Sequence, residues 1–197
     1  MKRFVVIWAA LLLIPAFAGG AQASGDNGSA KLDWHVSDAF IQSLGDPQWG
    51  AVARAFEGDR VRVSGAGTLN SAARKVSGSG TFVHEAGSGQ LVAFGTWTAT
   101  GLDSFTPYGC GVRAGQPIPE NRCGGLAVIR LHGSISVLGY GHVELDSILS
   151  VNSLVGSHPA GLEGVKLDAG PLGPNFNITE PSVNGATLFI SRSESDG

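Results

Sequence analysis

Five histidines, two cysteines and a scatter of carboxylates are the residues whose types and spacing could do chemistry. His84 and Glu85 close an alternating run, and a histidine beside a carboxylate at a strand end suits general acid or base work near neutral pH. Phe82 shares the face of His84, which predicts an apolar setting for the ring; the plainer reading is a histidine hydrogen-bonded at the strand end. His142, Glu144 and Asp146 alternate onto one face, as a metal or acid-base site would require. A solvated outer face explains the same pattern, because Val143, Leu145 and Leu149 take the opposite side. His132 and His142 flank one turn. Centred between Gly139 and Tyr140, that turn pairs His142 with Val137 and puts the two histidines on opposite faces; centred on Tyr140, it leaves them on one face but about 20 Å apart. Neither register makes them co-ligands.

Cys110 and Cys123 are the only cysteines, too few for a structural zinc site and lacking the C-x-x-C spacing of a redox motif, so a disulfide clip is expected. No G-x-S-x-G elbow is present, and Gly78-Ser79-Gly80 lies inside a strand. No G-x-G-x-x-G opens a helix and there is no P-loop, so no cofactor is implied. Asn27-Gly28-Ser29 and Asn177-Ile178-Thr179 match the glycosylation acceptor pattern.

The elements that must position these residues are strands. Val61 to Leu69 alternates between Val61, Val63, Gly65, Gly67 and Leu69 on one face and polar residues on the other. Parity reverses in the next strand, where Val76, Gly78, Gly80, Phe82 and His84 share a face. Leu91 to Ser104 returns from a glycine-rich turn; with that turn centred between Gly87 and Ser88, Phe82 faces Ala93, Gly80 faces Gly95 and Trp97 covers Gly78. Glycines on the inner face permit sharp coiling and close backbone approach. After a long proline-bearing loop from Pro107 to Arg122, strands are expected over Gly125 to Val137 and Val143 to Val151, with shorter ones at Gly164 to Asp168, Phe176 to Thr179 and Ala186 to Arg192. Upstream, Lys31 to Val36 fits a strand or an extended arm, Ser37 caps a short helix through Leu44, and Asp46-Pro47 opens a second helix carrying Trp49, Val52, Ala53 and Phe56.

The expected fold is therefore all-β in the main: a small antiparallel barrel of about seven or eight strands with a short N-terminal helical segment, or alternatively a two-sheet sandwich. Residues 1–23 read as a signal peptide, with Lys2 and Arg3 before an apolar run and Ala21-Gln22-Ala23 at the cleavage site. Residues 24–58 form an arm with short helices, 59–192 the β-domain and 193–197 a fraying tail. Removing the signal peptide leaves 197 − 23 = 174 residues with 11 basic and 16 acidic side chains, a net charge of −5 that supplies no footprint for nucleic acid or anionic lipid. No later apolar run is long enough to span a membrane.

The Gly80-Thr81-Phe82 strand, its glycine turn and the Gly95 return resemble the hairpins of the allene oxide cyclase and dirigent barrel group over some twenty residues. That resemblance implies a barrel enclosing an apolar cavity and carries no catalytic residue across. Three functions are weighed. The first is a secreted or periplasmic, non-catalytic module that binds a small apolar ligand or a protein partner, with Phe82, His84 and Trp97 as ligand-binding residues. The second is a barrel cyclase, isomerase or dirigent-like protein in which His84 or Glu85 transfers a proton. The third is a structural or adhesive envelope protein. The oligomeric state is left open.

Overall fold

The structure, a computed structural model, describes residues 31–45, 50–180 and 187–192. The signal peptide, the leader, the Asn27 acceptor, Asp46, Pro47, Trp49 and the C-terminal tail lie outside the described residues. What is described is mainly β. The strands are β1 (Lys31–Val36), β2 (Ala51–Arg54), β3 (Arg60–Asn70), β4 (Lys75–Glu85), β5 (Leu91–Cys110), β6 (Val112–Arg113), β7 (Gln116–Pro117), β8 (Arg122–Val137), β9 (Gly141–Ser153), β10 (Gly164–Asp168), β11 (Asn175–Phe176), β12 (Ile178–Thr179) and β13 (Thr187–Ser191). One short helix, α1 (Ala39–Ser43), follows β1, and a single 3-10 turn occupies Gly170–Leu172.

The strands exceed the seven or eight expected because short segments pair at the margins of the long ones. β6 and β7 form a two-stranded ribbon inside the Pro107–Arg122 stretch, and β5 itself runs on to Cys110. The other eleven strands belong to one antiparallel sheet. Its pairings run from β8 through β5, β4, β3, β1 and β13 and come back to β8. β3 shares one edge between two partners, β2 along Arg60–Val63 and β1 along Gly65–Asn70. β8 does the same, meeting β13 at Arg122 and Cys123 and β9 from Gly125 onwards. The outer path continues through β9, β10 and β11 on one side and through β2 and β12 on the other. Thr179 Oγ1 on β12 donates to the Val165 carbonyl oxygen on β10 at 3.2 Å, tying the two sides together.

The expected second helix is a strand instead. β2 pairs with β3 and β12 at its two edges, and Ala51, Val52 and Ala53 are all buried; a strand buried on both faces loses the alternation that would have revealed it. Phe56, assigned to a helical packing face, stands 87% exposed in the turn before β3. The shorter helix does form, but Asp38 rather than Ser37 caps it, its Oδ1 accepting from the Ile41 N–H at 3.1 Å.

Apolar residues from both sides of the pairing path meet in a single buried cluster that includes Trp34, Val61, Val63, Trp97, Ile129, Leu131, Leu149, Val151, Phe176 and Phe189. At its centre Trp34 and Trp97 stack with ring centroids 5.8 Å apart and planes 18° from parallel. Each indole N–H donates to a carbonyl of β4: Trp34 to Ser77 and Trp97 to Thr81, both at 3.2 Å. Glycines make room for the rings. A Cβ at Gly65 or Gly80 would sit 2.3 Å from Trp97 Cζ2, and one at Gly78 would sit 2.6 Å from Trp34 Cζ2.

Trp97 thus covers Gly80 and Gly65, and Trp34 covers Gly78, which corrects the expected placement of Trp97. The cause lies in the turn. Gly87, Ser88 and Gly89 form a three-residue loop with Gly89 at φ +84°, and the register then shifts between His84 and Glu85, so that Gly80 faces Trp97 and Phe82 faces Gly95. Three further register shifts bend β5 along β8 before the strands end at Cys110 and Cys123, which face each other and form the expected disulfide.

Candidate functional site

A cavity of about 400 Å³ opens beside the tryptophan pair. The inner faces of the long strands line it: Val61 and Val63 from β3, Phe82 and His84 from β4, Ala93 and Trp97 from β5, Leu131, Gly133, Ile135 and Val137 from β8. Val143, Leu145 and Ser147 of β9, Leu167 of β10 and Phe176 of β11 complete the far wall. Tyr140, 88% exposed on the β8–β9 turn, stands at the rim with Glu144. The wall follows from strand alternation, since these positions take the face opposite the polar residues of the same strands. Its volume falls within the range that accommodates small organic ligands.

Phe82, His84 and Trp97, singled out in the sequence, all lie on this wall. Glu85 does not. It points to the outer face, where its carboxylate meets Arg62 Nη2 at 3.3 Å, so His84 and Glu85 are not brought together. The partner of His84 is Asp59, whose Oδ2 lies 2.9 Å from Nε2. Asp59 Oδ1 accepts from the Gly87 N–H at 3.0 Å, so one carboxylate joins the turn before β3 to the turn after β4. The His84 ring also meets Phe176 edge-on, with centroids 5.1 Å apart. Asp59 was legible only through pairing: Val61 faces His84, and Asp59 is two residues upstream of Val61. Ser147 was missed because Val143 to Val151 reads as a simple apolar row with one polar interruption.

The β8–β9 histidines are closer than either expected register allows. A three-residue turn, Leu138-Gly139-Tyr140, pairs Ser136 with His142, Ser134 with Glu144 and His132 with Asp146. His142, Glu144 and Asp146 therefore share an exposed outer face with His132, and Glu144 bridges the histidines: Oε2 lies 3.1 Å from His132 Nε2 and Oε1 lies 2.8 Å from His142 Nε2. His132 Nδ1 lies 2.8 Å from Asp146 Oδ1. The hydrogen bond to Asp146 is the chief cause that raises the His132 pKa, and the hydrogen bond from His142 is the chief cause that lowers that of Glu144. Among the described residues no group of three or more His, Cys, Asp and Glu side chains is arranged to hold a metal ion.

Another carboxylate, Glu163, is buried away from the cavity. It accepts from Arg113 Nη2 at 2.9 Å and from the Thr187 N–H at 3.1 Å, fastening β6 and β13, and desolvation raises its pKa despite the arginine.

Comparison of the chain with protein-family models, with curated proteins and with solved structures finds no match. Any function is therefore read from this chain's own geometry.

Proposed function

We propose that the protein is an exported, non-catalytic binding module whose sheet closes into a barrel around a small apolar ligand. The observation that carries this reading is the cavity beside Trp97, lined almost wholly by aliphatic and aromatic side chains. Support for closure comes from the pairing path that returns to β8. A disulfide, and the lack among the described residues of any helix long and apolar enough to cross a membrane, fit secretion or a periplasmic location. Filling such a cavity removes apolar ligand surface from water at about 25 cal/mol per Å², while a pre-formed wall limits the ordering cost. Organic-solvent extraction of the purified protein followed by mass spectrometry tests the reading. An apolar compound recovered at near one per chain is expected; a protein that yields none, and takes up none when exposed to apolar extracts, overturns it.

A second reading, a barrel cyclase or isomerase, draws support from the Asp59–His84 pair on an apolar wall, which could move a proton. In that reading His84 acts without Glu85, which faces outward. A bound compound recovered chemically unchanged after prolonged incubation favours the binding module, and conversion that is lost in His84→Leu favours the enzyme.

A further inference from the structure

Most of the cavity wall is apolar, and its unengaged polar atoms specify what a ligand should carry. His84 Nε2 is held by Asp59, and its other ring nitrogen, Nδ1, has no hydrogen-bond partner among the described residues. A neutral imidazole that gives its Nε2 proton to a carboxylate presents Nδ1 as an acceptor.

Charge narrows the choice further. Among the described residues no lysine or arginine lines the cavity; Glu144 does, and the Asp59 carboxylate stands behind His84. A carboxylate ligand would be desolvated with no lysine or arginine to meet it. An ammonium would find no vacant buried carboxylate, because Asp59 is occupied by His84 and Gly87 while Glu144 is half-exposed and bonded to His132 and His142.

We propose that the cavity selects a neutral apolar molecule bearing one hydroxyl group, with the ligand O–H donated to His84 Nδ1. This rests on the binding-module reading and adds the chemistry of the ligand to it. An unpaired acceptor on a wall that a ligand dries is costly, so the hydroxyl is selected both by the bond it makes and by the orphan that its absence leaves.

Displacement of the neutral fluorescent probe N-phenyl-1-naphthylamine from the full mature chain tests the inference, with 1-octanol, octyl methyl ether, octanoate and octylamine as competitors. Octanol is expected to bind about fivefold to tenfold more tightly than the ether, which cannot donate, and more tightly than either charged analogue. His84→Leu should erase the preference of octanol over the ether, read as the ratio of their displacement constants in the same variant. Equal binding of octanol and ether, or tighter binding of octanoate or octylamine, overturns the inference yet leaves the binding module standing. Failure of the probe itself to bind the folded protein overturns the module, and the inference with it.

Discussion

At the scale of single residues, the outer-face histidines and the buried glutamate give opposite lessons in exposure. His132 is about half exposed, and its raised pKa comes chiefly from a hydrogen bond to Asp146. Its imidazole proton resonances are expected to titrate above the usual histidine midpoint, and Asp146→Asn should move the midpoint down toward it. A native histidine with a raised pKa contributes stability that is present below the unfolded value and lost as pH rises through the folded value; here the group is exposed, so the titration rather than the stability is the useful readout. Glu163 is desolvated, and a raised carboxyl pKa has the same sign. Its contribution is present below the ordinary glutamate value and declines as pH climbs through the raised folded value. Urea midpoints should therefore fall over that window, and Glu163→Gln, which keeps the size and cannot ionise, should flatten the slope. An unchanged slope in the variant would show that Glu163 is ionised without penalty. Sequence inspection found the histidines and the alternation of His142, Glu144 and Asp146, yet could not join them to His132, because the join depends on one residue of turn length.

At the scale of elements, the β3–β4–β5 hairpins hold two indoles against glycine-rich backbone. Gly80→Ala would set a Cβ 2.0 Å from the Ser64 carbonyl oxygen and 2.3 Å from Trp97 Cζ2, so the strands must part or the indole must move. A loss of about 3 kcal/mol, the upper part of the range for overpacking, is expected in chemical denaturation. The disulfide acts at the other end of β5, where Cys110 and Cys123 are 13 residues apart in sequence. Replacing both with alanine should cost about 3 kcal/mol in the chain-entropy account, with the β6–β7 ribbon the first segment to gain hydrogen exchange. Much of this architecture was legible: period-two alternation located β3, β4, β8 and β9, and the inner-face glycines marked where rings and backbone approach closely. What escaped was β2, whose buried neighbours on both faces erase the alternation, and the shift between His84 and Glu85, which moved Trp97 from Gly78 to Gly80. Periodicity fixes which face a residue takes; the turns decide which residue it meets.

At the scale of the whole molecule, the proposed function requires that the cavity be a space that a ligand enters. Gly133 offers a direct way to close it. It lies on the wall, its backbone lies outside the left-handed region, and an added Cβ would meet nothing nearer than the Leu145 carbonyl oxygen at 3.4 Å. Gly133→Leu should therefore fold and project its side chain into the volume a ligand would use, unlike Gly80→Ala, which collides with backbone. Titration of N-phenyl-1-naphthylamine into the wild-type chain and the Gly133→Leu variant, at matched circular dichroism, tests the central claim most directly. Saturable binding at one probe per wild-type chain, weakened at least about tenfold in the variant, is the predicted result. Equal binding by both proteins, or no saturable binding by the wild type, would contradict it.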